Sequence, residues 1–180
     1  MRVAGIDPGT IRTGVGILEE ASGKAKLLFS GTIHAGSERT IAERLEIIFR
    51  ELKEVFAKWQ PDIVVIETVF FQKDFKAAVK VGEARAAAML AASTTGIPIA
   101  EYPPARIKQS IGANGRATKE QIQYMVKQIL RLPGVLQQDS SDAVAAALCH
   151  FHCHKFAQFT IENGSKEDTF QERKREICPL

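Results

Sequence analysis

Apolar residues open the chain in three short runs whose spacing predicts strands rather than helices. Arg2 to Asp7, carrying Val3, Ala4 and Ile6, reads as strand one, and Pro8-Gly9 breaks it. Thr13-Gly14-Val15-Gly16-Ile17-Leu18 reads as strand two, Gly23 marks a turn, and Lys26 to His34 reads as strand three. Links this short predict an antiparallel meander. The period then changes. After Ser37, which has the chemistry of a helix N-cap, Ile41, Leu45, Ile48, Phe49, Leu52 and Phe56 recur at helical spacing before Pro61. Ile63-Val64-Val65-Ile66 is apolar throughout, as a strand covered on both faces would be, and it ends at once in Glu67. The helix before it allows this strand to lie parallel to strand one.

A second helix is predicted from near Asp74 to Thr95, where Gly96 ends it. Its small residues (Gly82, Ala84, Ala86, Ala87, Ala88, Ala91, Ala92) let another helix come close, either within the monomer or across a dimer interface. Ile97 to Tyr102 reads as a fifth strand, Pro103-Pro104 ends it, and Ala105 to Ile111 has room for one or two helical turns. Gly112-Ala113-Asn114-Gly115-Arg116 reads as a loop. Thr118 caps the next helix with Gln121 at the capping-box position, and Leu132-Pro133-Gly134 closes it. The last helix begins near Asp139 and carries Ala143, Val144, Ala147 and Leu148 on one face. These elements make residues 1–157 one domain, without internal repeats; residues 158–180 lose the periodicity and read as a flexible charged tail.

With 180 residues, 45% of them apolar, the chain can bury a real core. No run of eighteen apolar residues is present, and the first residues follow a strand pattern rather than that of a signal peptide. A cytoplasmic location is therefore expected, with Cys149, Cys153 and Cys178 reduced. The net charge of +3 says little, but its distribution says more. Lys73, Lys76, Lys80, Arg85, Arg106, Lys108, Arg116 and Lys119 face only Asp74, Glu83 and Glu101 in the middle of the chain. A basic middle beside an acidic site suits a phosphodiester-handling enzyme; a solvated helix face is the plainer reading of charge alone.

The acidic site is legible from element ends. Asp7 and Glu67 each terminate an apolar strand, and parallel neighbours would deliver both to one sheet edge. Asp139 and Asp142 are three apart at a helix start, so they face one way and are favoured by the helix dipole. Taken alone, that pair reads first as N-cap and first-turn acid. Four gathered carboxylates would repel one another unless a divalent cation neutralised them, and hard oxygen donors suit Mg²⁺ or Mn²⁺.

Asp7-Pro8-Gly9-Thr10…Thr13-Gly14, the strand-final Glu67, Phe70…Lys73…Val81-Gly82-Glu83-Ala84-Arg85 and Asp139-Ser140-Ser141-Asp142-Ala143 resemble the RuvC family of Holliday junction resolvases, in order and from residue 1 to about residue 155. The resemblance implies a ribonuclease-H-like α/β fold: a mixed five-stranded sheet, antiparallel through strands 1–3 and parallel through strands 1, 4 and 5, flanked by helices. It implies a homodimer, two Mg²⁺ ions per site with Mn²⁺ as a possible substitute, and paired nicks in strands of like polarity across a four-way DNA junction during recombination and repair. It also implies work alongside the RuvA–RuvB branch-migration complex. Asp7, Glu67, Asp139 and Asp142 match the family's catalytic, metal-binding acids. Lys108 and Lys119 match its DNA-contacting lysines, and Phe70 an aromatic that stacks on a base. Lys73 and Arg116, in the same basic segment, complete the DNA-binding candidates.

Asp-x-Gly also occurs in actin-like phosphotransferases, but these need a second domain to close over the nucleotide. A nuclease of similar fold acting on ribosomal RNA precursors, and a junction-binding module without catalysis, are the other rivals. Cys149, His150, His152, Cys153 and His154 suggest zinc, yet no second cluster completes a tetrahedral set, so a helix end with satisfied or exposed side chains is preferred.

Overall fold

The computed structural model describes residues 1–68, 75–112 and 117–163, with side chains as far as His154 in the last helix. The strands β1 (Arg2–Asp7), β2 (Arg12–Ala21) and β3 (Lys24–His34) form the meander. Its second link is a two-residue turn, Ser22-Gly23, with positive φ at both positions, as the twist of a tight hairpin requires. Helix α1 (Ile41–Trp59) crosses to β4 (Ile63–Glu67), and α2 (Phe75–Thr94) crosses to β5 (Ile99–Tyr102). The chain closes with α3 (Pro104–Ser110), α4 (Lys119–Leu130) and α5 (Gln138–Asn163). The sheet order is β3-β2-β1-β4-β5, with β4 parallel to β1 and β5 parallel to β4, as expected.

Strand parity decides what each face holds. Ala4, Ile6, Val64 and Ile66 pack under α1 and α2 against Ile48, Leu52, Phe56, Ala84, Ala88 and Ala91. Val3 and Val65 face the other way, under α5, among Val144, Leu148 and Phe151. Asp7 and Glu67 share the parity of Val3 and Val65. Both acids therefore leave the sheet on the face that α5 covers.

Several boundaries shift from the sequence reading, and three of the shifts change a residue's setting. The cap of α1 is Thr40, not Ser37: Thr40 and Glu43 form a reciprocal capping box, and the Ser37 carbonyl instead accepts from Arg44. Helix α5 starts at Gln138, which places Asp139 in the first turn rather than at the cap, and it runs to Asn163, beyond the boundary drawn at residue 157. The Cys149–His154 stretch is consequently mid-helix. Cys149, Cys153 and His150 are buried in it, with His150 Nδ1 3.0 Å from the Tyr102 hydroxyl. Burial pushes the His150 imidazole down to about 4, so it is held neutral.

Helix α2 uses its small residues on one side only. Ala84, Ala87, Ala88, Ala91 and Ala92 are buried in the monomer's own core. Phe75, Val79, Ala86 and Leu90 lie exposed at four- and seven-residue spacings, with open space above Gly82 between them. Among the described residues, no helix is long and apolar enough to cross a membrane.

Candidate active site

Ile6 pairs with Ile66 across β1 and β4, so the next residues, Asp7 and Glu67, emerge side by side at the carboxyl ends of parallel strands. The turn after Asp7 is clipped by Thr13. Its fully buried hydroxyl donates to the Gly9 carbonyl at 2.9 Å and accepts from Gly9 N at 3.4 Å. Helix α5 then lays its first turns over this corner. Asp142 joins Asp7 and Glu67 in a cleft of about 290 Å³, whose walls include Pro104, Ile107, Ile122 and Ala145.

Lys108 and Lys119 line the same cleft. They enter it from α3 and from the first residue of α4, on either side of the 112–116 segment. Lys119 Nζ stands 3.5 Å from Asp142 Oδ2, while Lys108 Nζ donates to the Ala117 carbonyl at 3.1 Å and so ties the start of α4 to α3. Asp139 is half-buried one turn before Asp142; it does not line the cleft, but its charge acts on both Asp7 and Asp142. Phe70, Lys73 and Arg116 lie outside the described residues.

The carboxylates act on one another. Burial first, then the charges of Asp142 and Glu67, pushes the Asp7 carboxyl up to about 7, against the pull of Lys119. Burial and Asp142 push Glu67 up to about 6, with Lys108 and Lys119 opposing. Asp142 is also raised, chiefly by burial. Among the described residues, no three His, Cys, Asp or Glu side chains stand close enough together to hold a metal ion as they are placed. The donor chemistry nonetheless fits a hard divalent cation: the cleft's anionic groups are all carboxylate oxygens, and their mutual repulsion is what such a cation relieves.

The sequence reading missed two contributions. In the sequence, Thr13 and Gly14 stand only as parts of a motif, without roles. The signal was there: Thr13 is a polar residue placed at the start of an apolar strand.

Residues 3–150 match the family model described as crossover junction endodeoxyribonuclease RuvC. The protein of that description from Citrifermentans bemidjiense is 43% identical over 152 residues, which is 84% of this chain and 93% of its own. The structure of T. thermophilus RuvC in complex with Holliday junction substrate superposes with a TM-score of 0.78 at 32% identity, covering 87% of this chain and 96% of that one. The yeast mitochondrial Holliday junction resolvase Ydc2 shares the fold, with a TM-score of 0.63 at 10% identity over 89% of this chain and 83% of that one.

Proposed function

Since the chain belongs to the RuvC family of crossover junction endodeoxyribonucleases, we propose that it resolves four-way DNA junctions by metal-assisted hydrolysis in the cleft between β1, β4 and α5. The observation that carries the reading is the convergence of Asp7, Glu67 and Asp142 with Lys108 and Lys119 in that one cleft. Asp7, Glu67 and Asp142, with Asp139 beside them, would hold the Mg²⁺ ions. Bound there, a pair of ions would activate water and stabilise the leaving oxygen. Lys108 and Lys119 offset the charge of the acids and present ammonium groups to the phosphates of an incoming strand. The buried Ile107, Ile122 and Ala145 keep water from one side of the acids, which strengthens their charge interactions.

The reading extends to assembly. A four-way junction offers two equivalent strands, so one cleft per chain calls for two chains related by a two-fold axis. The exposed stripe of α2, with Phe75 70% and Leu90 58% accessible, is the surface that a second copy would cover. Paired nicks of like polarity, roles in recombination and repair, a cytoplasmic location and cooperation with RuvA–RuvB belong to the same proposal and rest on family membership.

The test is nicking of a synthetic four-way DNA, set against linear duplex and structured RNA, with and without Mg²⁺. Paired, Mg²⁺-dependent cuts confined to the junction are expected. Equal cutting of linear duplex, or cutting that persists in a chelator, would overturn the proposal.

A further inference from the structure

Gly14 pairs with Asp7 across the β1–β2 ladder. A Cβ built on Gly14 would overlap the carbonyl oxygen of Asp139 and stand 3.1 Å from Ser140 N. One built on Gly16 would overlap Val144 Cγ2 and stand 3.0 Å from Val144 Cα, and one on Gly5 would overlap the carbonyl oxygen of Ala143. Glycine weakens a strand interior, and its presence there marks the close approach of another backbone. Here that backbone is the first part of α5, which meets Gly14 and Gly5 backbone to backbone and Gly16 through Val144.

We propose that Gly14 is a positioning residue for strand cleavage: by leaving no side chain under the first turn of α5, it sets the separation between Asp7 and the helix carboxylates Asp139 and Asp142. The inference rests on the metal-ion reading given above. The same short piece of chain carries both sides of the spacing. Thr13 clips the turn that follows Asp7, and the neighbouring Gly14 seats the turn that carries Asp139. Mg²⁺ demands ligands at about 2.0–2.1 Å in near-ideal octahedral geometry. A side chain at residue 14 would lift α5 by something on the order of 1 Å, and a misplacement of that size costs about a hundredfold in rate.

The experiment uses the full chain and Mn²⁺ as the probe, with binding followed by electron paramagnetic resonance in the absence of DNA. Gly14→Ala is expected to keep its circular dichroism and to bind metal-free junction within about twofold of the parent protein. It should bind Mn²⁺ at least about tenfold more weakly, lose the signal of coupled ions, and cut about a hundredfold more slowly. Leu52→Ala, on the buried face of α1, controls for general loss of stability and should keep the parent Mn²⁺ affinity. Gly16→Ala in a Val144→Ala background removes the side-chain clash but leaves a close backbone approach, a gentler lift of the same helix; a smaller loss of Mn²⁺ affinity is expected. A folded Gly14→Ala with parent Mn²⁺ affinity would overturn the inference. Should Gly14→Ala not fold, unchanged affinity in the double variant would do so, and weakened affinity would support it. A parent protein that binds no Mn²⁺ overturns the metal reading and this inference with it.

Discussion

Lys119 holds its ammonium 3.5 Å from Asp142 Oδ2, so a cation already sits against the acid cluster before any metal or DNA arrives. The pair joins the first residue of α4 to the second turn of α5, and Asp142 is much the more buried partner. Lys119 thus has two possible duties, to neutralise the acids and to meet a phosphate, and they separate experimentally. Lys119→Ala is expected to weaken junction binding and to lower the slope of log K against log salt by about 0.9, the share of one phosphate contact. An unchanged slope together with weaker Mg²⁺-dependent cutting would assign Lys119 to the carboxylates alone.

Asp7 is the most buried and most strongly shifted of the acids. Asp7→Asn is expected to abolish cleavage while leaving junction binding nearly intact, because the proposed DNA contacts are made by basic side chains and not by Asp7. Gel-shift and nicking assays on one preparation check this. Loss of binding in step with cleavage, in a folded variant, would count against a purely catalytic Asp7.

The same substitution reports on electrostatics. The folded Asp7 carboxyl is raised from 3.8 to about 7, so its ionised form destabilises the metal-free fold above that pH and not below the unfolded value. At about 1.4 kcal/mol per unit, the ceiling is about 4 kcal/mol. Without metal, Asp7→Asn should therefore melt at about the parent temperature near pH 4 and several degrees above it at pH 8. His150, whose pKa is lowered, pulls the parent's own profile in the opposite sense, so the difference between the two proteins is the quantity to measure. With Mg²⁺ the parent should gain more stability than the variant, as it alone keeps all four carboxylates. A variant no more stable than the parent at pH 8 without metal would contradict the raised carboxyl.

On α2, Leu90→Lys should convert a dimer to a monomer by sedimentation and retain native circular dichroism, because Leu90 is exposed in the single chain. Ala87→Trp should unfold the monomer instead, since Ala87 is buried against its own core. A Leu90→Lys protein that remains dimeric would place the interface elsewhere.

How these features could be read from the sequence depended on their range. The strand-final acids Asp7 and Glu67 and the Thr118–Gln121 capping box are written in neighbouring residues, and the meander and a β4 parallel to β1 follow from strand and helix periods, whereas the place of β5 came with the family resemblance. The Thr40–Glu43 box was written there too, but Ser37 offered an equally good capping hydroxyl three residues earlier. Alanine hid the two faces of α2, because it suits a buried or an exposed position equally. The seat of α5 on Gly5, Gly14 and Gly16 joins segments more than a hundred residues apart, and such a contact leaves no local pattern.

The position of α5 along the chain bears on the protein's own synthesis. Asp7 and Glu67 leave the ribosome early, but the helix that completes their cleft follows Asp7 by more than 130 residues. At about 5–20 residues per second, roughly 7–27 s pass between the first acid and the last. Through that interval the nascent chain lacks the α5 carboxylates, so the proposed metal site stays incomplete. The proposed centre closes only with the last element of the fold, when nearly all of the domain has been made.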